Sequence, residues 1–282
     1  MRWQGSRRSS NVEDYRGQRF GGSGLKLGVG GTLLALVAGY FLGIDPRIIL
    51  GLAESVPSGQ QPAAQVGVPQ DEEGQFISAV LGETEDTWSA VFRQNGAEYT
   101  PPKLVLYSDQ VPTACGFGSA AAGPFYCPGD SKVYIDLSFY KELEQQFQAP
   151  GDFAKAYVLA HEVGHHVQNL LGTADKVRAA QQRASEQEQN ALQVRMELQA
   201  DCYAGIWAKQ ADASRHILEQ GDVDEALRAA SSVGDDTIQK RTRGVVVPES
   251  FTHGSAQQRQ SWFQRGFAGG TLQSCDTFSG GA

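Results

Sequence analysis

Large apolar residues recur three or four positions apart in several stretches of the chain, which is the spacing of one face of an α-helix. The first clear stretch covers residues 71–94. Its apolar positions are Phe76, Ile77, Val80, Leu81, Trp88, Val91 and Phe92. The pattern predicts that a folded domain opens with this helix, and we expect that domain to cover residues 76–282.

Two shorter stretches, residues 103–107 and 132–137, run apolar or alternate as strands do. Residues 138–147 follow as a further predicted helix. Later stretches, at 218–233 and 236–243, indicate short helices. The predicted fold class is therefore α+β, mainly helical, with a small β-sheet.

A longer helix is predicted over residues 153–171, after a start signal at 150–152 and before a stop signal at Gly172. Its apolar turns come from Val158, Leu159, Val163, Val167, Leu170 and Leu171. This helix contains the pentad His161-Glu162-Val163-Gly164-His165. Residues four apart lie one turn above each other, so both imidazoles would face one side at a spacing that suits one zinc ion. Glu162 could then reach a water on that ion.

The pentad alone is weak evidence, since a chain of this length contains one by chance in roughly one protein in a hundred. The competing interpretation is a solvent-facing helix that carries two histidines. Apolar residues around the pentad favour a buried helix and weaken that interpretation. His166 and His216 are interpreted as ordinary polar positions, because the ring of His166 points about 100° away from the metal face.

A second helix, predicted to run from near Asn190 to about Lys209, carries Glu197 and Asp201. Like charges four residues apart repel by roughly 0.2–0.5 kcal/mol, so a purely structural helix gains nothing from them. A cation would explain the pair. We therefore predict Glu197 as a third zinc ligand and Asp201 as the acceptor for the free N–H of a ligand histidine. The alternative is an exposed acidic pair on a polar helix.

Length and composition fit one globular domain with an appendage, because the chain has 282 residues, 40% of them hydrophobic, and a net charge of −8. The charge is unevenly spread. The first 26 residues contain six basic and two acidic residues, which leaves 18 basic and 30 acidic residues for the rest. An acidic body argues against nucleic acid as a partner.

Residues 27–44 carry no charge, and 18 such residues are near the lower limit for a transmembrane helix. Basic residues precede this stretch, so the positive-inside rule places residues 1–26 in the cytoplasm and the body in the periplasm. Residues 45–75 are predicted as a linker, since they mix proline with polar residues. A cleaved signal peptide with a small-residue site at 51–53 is the competing interpretation. The long leading segment, and the distance from the apolar stretch to that site, favour an uncleaved single-pass anchor in the cytoplasmic membrane.

Small residues recur every four positions within the predicted anchor, at Gly31, Ala35, Gly39 and Gly43. Such a ridge could let two anchors pack together as a homodimer. A glycine-rich membrane helix without any dimer explains the same residues, and we favour that interpretation.

Four cysteines are present, and export would let them form disulfides. Cys115 and Cys127 bracket residues 116–125, a stretch rich in glycine, alanine and serine that is either a substrate-binding edge or an ordinary loop. Cys202 and Cys275 would then be left to pair with each other. The sequence allows three connectivities and does not choose among them. A zinc ion bound by cysteines is disfavoured, because no CxxC spacing occurs.

Four motifs together resemble one known family. They read HEVGHHVQNLLG, MELQADCYAGIWA, ACGFGSAAAGPFYCPGDSKVYIDLSFY and HGSAQQRQSWFQRGF, and the resemblance covers nearly the whole chain. The family is that of the bacterial neutral zinc metallopeptidases, a membrane-anchored group within the glutamate-zincins. The resemblance implies a zincin-like catalytic domain with zinc on His161, His165 and Glu197, Glu162 as the catalytic base, and Asp201 supporting the ligands.

Peptide hydrolysis develops an oxyanion, which calls for a side-chain donor in addition to the metal. His253 is our candidate for this catalytic role, because it precedes a C-terminal helix and a loop could present its imidazole to the cleft. The resemblance supports this choice, since related glutamate-zincins carry a histidine after the glutamate helix. Tyr203 or Tyr157 could serve instead. A histidine that caps its own helix at Gly254 and Ser255 is an equal alternative.

These residues predict a membrane-anchored zinc metallopeptidase that hydrolyses peptide bonds in peptide or protein substrates. A binding or assembly protein on the same scaffold, with zinc but without turnover, is the first alternative, although it would have no need of Glu162. A metal-dependent hydrolase of a non-peptide bond is the second alternative.

Overall fold

The computed structural model describes residues 1–18, 63–120 and 123–279. The chain divides into two compact units, Met1–Gly17 with Ala64–Ala282, and Gln18–Ala63. The predicted transmembrane helix at residues 27–44, its ridge of small residues and most of the predicted linker lie outside the described residues. Within the described ranges, no helix combines the length and the hydropathy needed to cross a membrane.

The strands of the first unit form one larger sheet and one hairpin. In chain order they are β1 (Val12–Asp14), β2 (Gln65–Val66), β3 (Lys103–Tyr107), β4 (Gln110–Thr113), β5 (Gly116–Ser119), β6 (Phe125–Cys127) and β7 (Lys132–Asp136). The five-stranded sheet has the order β2-β1-β3-β7-β6, with β1, β3 and β7 parallel and the two edge strands antiparallel to their neighbours. Strands β4 and β5 pair only with each other in the described part of the chain.

Helices make up most of the described chain, which confirms the predicted mainly helical α+β class. They are α1 (Glu72–Gln94), α2 (Ser138–Gln145), α3 (Asp152–Leu170), α4 (Thr173–Gln181), α5 (Glu186–Arg215), α6 (Asp222–Ser232), α7 (Asp235–Arg243) and α8 (Ala256–Gly269). Short 3₁₀ turns cover Pro248–Ser250 and Leu272–Cys275. The predicted helix over residues 153–171 is α3.

Helix α5 begins earlier than the sequence predicted. Its start is a capping box in which the Ser185 hydroxyl accepts from the backbone of Glu188 while the Glu188 carboxylate accepts from the backbone of Ser185. These reciprocal bonds satisfy N–H groups that a helix start leaves unpaired, so the helix begins there rather than near Asn190. It also continues to Arg215, beyond the predicted end near Lys209.

Close packing of α3 against α5 positions the two predicted metal-binding motifs. Phe153 on α3 stacks on Trp207 of α5, with ring centroids 5.6 Å apart. At Gly164 a Cβ atom would lie 3.0 Å from the carbonyl oxygen of Ala200, which is tighter than an ordinary contact. A glycine in the middle of α3 therefore lets the two helix backbones approach. The histidine face of α3 and the acidic face of α5 meet as a result.

Residues that precede the predicted anchor belong to this same folded unit. Strand β1 pairs with β3 in parallel register, and Val12 is fully buried. The unit thus extends beyond the predicted 76–282 range, because it includes Met1–Gly17 and resumes at Ala64. A three-residue strand is too short to show the alternation by which strands are recognised.

Two disulfides join distant parts of the fold. Cys115 pairs with Cys127 at a Cα separation of 5.9 Å, which ties the turn between β4 and β5 to the edge strand β6. Cys202 pairs with Cys275 at 5.6 Å, which ties α5 to the last 3₁₀ turn. Of the three connectivities that the sequence allows, the structure has the one that pairs the cysteines bracketing residues 116–125 and leaves the other two to each other.

Candidate metal centre

Three side chains from two helices converge at the centre of the unit. His161 and His165 from α3 and Glu197 from α5 place potential ligand atoms within 4.8 Å of one another. The Glu197 Oε2 atom lies 3.2 Å from Nε2 of His161 and 3.5 Å from Nε2 of His165. The sequence predicted these three residues as the ligand set, and the structure brings them together.

The outer nitrogen of each imidazole is held by a hydrogen-bond acceptor. Nδ1 of His161 donates to Oδ1 of Asp201 at 2.8 Å. Nδ1 of His165 donates to Oε1 of Gln168 at 2.9 Å, and that amide is oriented because its NH₂ group donates to the backbone carbonyl of Met196. Both rings therefore carry a proton on Nδ1 and turn Nε2 toward the Glu197 carboxylate.

A cation, either a proton on Nε2 or a metal ion, can be held between these imidazoles and the carboxylate. Burial alone would lower the pKa of His161, but the Asp201 charge and hydrogen bonds to Asp201 and Glu197 raise it to about 10. Burial likewise opposes charge on Glu197, yet the neighbouring histidines hold the pKa of its carboxyl well below the usual range. The site thus attracts positive charge strongly. Two imidazoles and one carboxylate are the ligand types and the number found in catalytic zinc sites.

Glu162 lies beside these ligands and lines the same cleft. Its side chain is buried, and that burial raises the pKa of its carboxyl despite the two adjacent histidines. A raised pKa suits a carboxylate that accepts a proton and releases it again near neutral pH. Glu162, the predicted general base, therefore lies in the same cleft as the three converging side chains.

Asp201 is fully buried and is bound from three sides. Besides His161, the hydroxyl of Tyr157 donates to its Oδ1 atom, and Arg259 from α8 donates to both oxygens at 2.8 and 3.0 Å. Burial opposes ionisation, but Arg259 and His161 lower the pKa of Asp201 to about 2. The carboxylate thus stays charged and keeps a proton on Nδ1 of His161.

Sequence reasoning missed Arg259 and Gln168. Arg259 is 4% exposed, although arginine is almost never buried without a partner. One signal was available, because Arg259 precedes Trp262 and Phe263 by three and four positions and so shares the apolar face of its helix. Gln168 could also have been found, since it follows His165 by three positions on α3 and so lies on the same face of that helix.

His253 lies in the wall of the same cleft. Its Nδ1 atom is 3.3 Å from Oδ1 of Asp235, whose other oxygen accepts the backbone N–H groups of residues 252–254. Helix α8 is capped by Ser255 and Gln258, so the interpretation of His253 as a helix cap is wrong. Asp235 is a further residue that the sequence did not single out.

The two tyrosines weighed against His253 occupy different places. Tyr203 is buried with its ring against Trp88, at a centroid distance of 5.5 Å, and is not among the described residues that line the cleft. Tyr157 lines the cleft, but its hydroxyl is committed to Asp201. The side chain of His253 is the most exposed of the three, with 52% of its surface accessible to solvent.

The cleft has a volume of about 570 Å³ and one wall from the sheet. Gly123, Pro124, Phe125 and Tyr126 line it, at and just before the edge strand β6. Residues 116–119, the first part of the predicted substrate-binding edge, form β5 and are not among the described lining residues. The edge next to the metal centre is therefore residues 123–126.

Comparison with known proteins gives one consistent result. The model of the family described as "Putative neutral zinc metallopeptidase" matches residues 1–278. The "Uncharacterized protein YpfJ" of Escherichia coli K12 is 51% identical over 288 residues, which covers 99% of each chain. The "Uncharacterized protein Rv2575" of Mycobacterium tuberculosis H37Rv is 40% identical over 252 residues, or 84% of each chain. No solved structure matches. A match along almost the entire chain shows that this protein belongs to the "Putative neutral zinc metallopeptidase" family.

Proposed function

We propose that this protein is a zinc-dependent metallopeptidase in which Glu162 is the general base. The observation that carries the proposal is the convergence of His161, His165 and Glu197 with a fourth side chain, Glu162, beside them in a cleft. Zinc bound by the three ligands would polarise the scissile carbonyl and lower the pKa of a water. Glu162 then accepts the proton of the attacking water and passes it to the leaving amine.

The edge strand β6 supports a peptide as the substrate. It ends the sheet order, so one side of its backbone has no strand partner within the described sheet. Phe125 and Tyr126 on this strand also line the cleft. An extended peptide can add to such an edge through backbone hydrogen bonds, which would hold the scissile bond next to Glu162.

Apolar side chains from four different parts of the chain also line the cleft. They are Phe139, Phe147, Val158, Val233 and Ile238. Val158 lies one turn before Glu162 on α3, so this apolar surface adjoins the position of the general base. It supports substrates with a bulky apolar side chain near the cleaved bond.

Zinc binding and peptide cleavage by the purified full chain test the proposal. We expect one zinc per chain. Removing a residue that merely orients a ligand lowers zinc affinity ~10- to 100-fold, and we expect Glu197→Ala, which removes a ligand, to lower it further. Peptide cleavage should fall with zinc content. Metal analysis by mass spectrometry and a mixed-peptide cleavage assay would measure both.

Glu186→Ala is the matched control, because Glu186 is an exposed glutamate at the start of the same helix. That variant should bind zinc as the native protein does. Full zinc occupancy in Glu197→Ala would contradict the ligand assignment. Zinc-loaded protein that cleaves no peptide in a broad mixture would contradict the proposed activity and favour a binding or assembly role.

A second prediction concerns His253 as the oxyanion donor. Removing one such donor costs ~10²–10³ in turnover, so His253→Ala should retain zinc while kcat falls by about that factor. Steady-state kinetics together with zinc analysis would show this. Unchanged turnover would place the donor elsewhere, and loss of zinc would reopen the ligand assignment.

A third prediction concerns pH. The hydrogen bond to Asp235 outweighs burial and raises the pKa of His253. With Nδ1–H directed at Asp235, only the protonated ring has a second N–H for the oxyanion, so activity should decline as pH rises through this pKa. Asp235→Asn lowers that pKa and should move the high-pH limb of kcat to lower pH. Asp236→Asn, at the neighbouring position, should leave the limb in place.

The two disulfides are the basis for the proposed localisation. Both bonds persist only in an oxidising compartment, which supports an extracytoplasmic domain at the cytoplasmic membrane. The absence of nucleic acid as a partner stays a prediction from the sequence. So does the interpretation of the anchor as a glycine-rich helix without a dimer, with the homodimer as its alternative.

A further inference from the structure

Strand β1 is an inner strand of the five-stranded sheet, between β2 and β3. Val12, Glu13 and Asp14 lie opposite residues 104–106 of β3, and Glu13 also lies opposite Val66 of β2. The Glu13 carboxylate accepts from the ammonium groups of Lys103 and Lys132 at 2.8 and 2.7 Å. The strand is therefore joined to three neighbouring segments of the body.

Residues before β1 are anchored as firmly on helix α1. The backbone N–H of Ser9 donates to the carbonyl of Ser78, and its hydroxyl donates to Glu85 at 2.6 Å. A Cβ at Gly82 would collide with the carbonyl of Arg7, so α1 is shaped to receive this segment. Trp3, 8% exposed, packs edge-on against Phe76.

Basic residues in this segment have partners within the fold. The Arg7 guanidinium bonds Glu85 and Asp86 at 2.7 and 2.9 Å. The Arg16 guanidinium bonds Asp14 and Asp71, each at 2.6 Å. By the positive-inside rule these basic residues predict a cytoplasmic segment. In the structure Arg7 and Arg16 instead form ion pairs within the folded unit.

We propose that residues 1–17 and the zinc-site domain lie on the same side of any membrane that the chain enters. Neighbouring strands lie about 4.8 Å apart, whereas the hydrocarbon core of a bilayer is about 30 Å thick. One folded sheet cannot be divided across that distance. The chain between β1 and β2 must accordingly begin and end on one side.

The proposal argues against the single crossing predicted from the sequence. Residues 45–62 contain Asp45, Arg47 and Glu54, so they supply no second uncharged stretch for a return crossing. A bilayer that binds the apolar stretch in residues 27–44 would hold the domain through two covalent attachments, the linker and the β1 segment.

Cysteine labelling tests the shared side directly. Ser10 precedes β1 and Ser108 follows β3, and both are exposed. Ser10→Cys and Ser108→Cys would each be made in the full chain and labelled in intact cells with a membrane-impermeant maleimide. The extent of labelling of the protein recovered from the membrane fraction, relative to permeabilised cells, should be equal for the two positions. Protection of one position while the other reacts would overturn the proposal.

Cleavage of the linker tests the second attachment. A protease site inserted between Pro57 and Pro62 should be cut completely without loss of the domain from the membrane pellet, because β1 remains in the sheet. Release of the domain into the supernatant on cleavage would overturn the proposal. Val12→Asp places a charge at the buried position of β1 and should increase release after the same cut. If that variant does not fold, the labelling of Ser10→Cys still decides.

Discussion

Glu162→Gln should keep one zinc per chain while peptide turnover falls by ~10²–10⁴, the range for loss of a general base. The amide matches the carboxylate in shape but cannot take the proton of the attacking water. Glu162 is also not one of the three converging ligands, so metal affinity should change little. Zinc analysis and steady-state cleavage kinetics of the native protein and Glu162→Gln would measure zinc content and turnover independently.

Glu142→Gln is the matched control for that experiment. Glu142 is another glutamate that lines the cleft, on α2, and it takes no part in the metal centre. Its substitution should leave kcat near the native value. Native turnover in Glu162→Gln would remove the general-base assignment and bring forward a different hydrolytic mechanism.

Arg259→Gln should destabilise the fold by about 3–5 kcal/mol, because it leaves the fully buried Asp201 carboxylate without its strongest partner. Urea denaturation of the zinc-free protein at neutral pH would measure the change. Since Arg259 helps to hold the pKa of Asp201 at about 2, the native protein should lose this stabilisation only as pH falls from 3.8 toward that value. In the variant the folded-state pKa of Asp201 rises toward or above 3.8, so the protein should lose less stability than the native protein as pH falls through this range.

Two further variants separate this effect from general damage to α8. Arg265→Gln changes an exposed arginine of the same helix and should alter stability by no more than about 0.5 kcal/mol. Adding Asp201→Asn to Arg259→Gln should recover part of the lost stability, because the uncompensated charge is gone. Additive losses in the double variant would show that the two side chains act independently.

Much of the metal centre could be predicted because its ligands are spaced within single helices. The positions of His161 and His165 on one face of α3 follow from the helical period alone. Glu197 and Asp201 on α5 follow in the same way. The amphipathic pattern likewise predicted α1 and α3 nearly to the residue, since local periodicity reflects which face is buried.

The partners of these residues depend on contacts between segments far apart in sequence. Arg259 reaches Asp201 across 58 positions, and His253 reaches Asp235 across 18, through packing that no local pattern records. Strand β1 is the clearest case, because it lies in the segment predicted to be a basic cytoplasmic leader, whereas the structure pairs it with β3 about 90 positions away. A helical period is set by bonds within one segment. The choice of which segments meet is set by the burial and hydrogen bonding of the whole chain at once, and only the tertiary structure decides it.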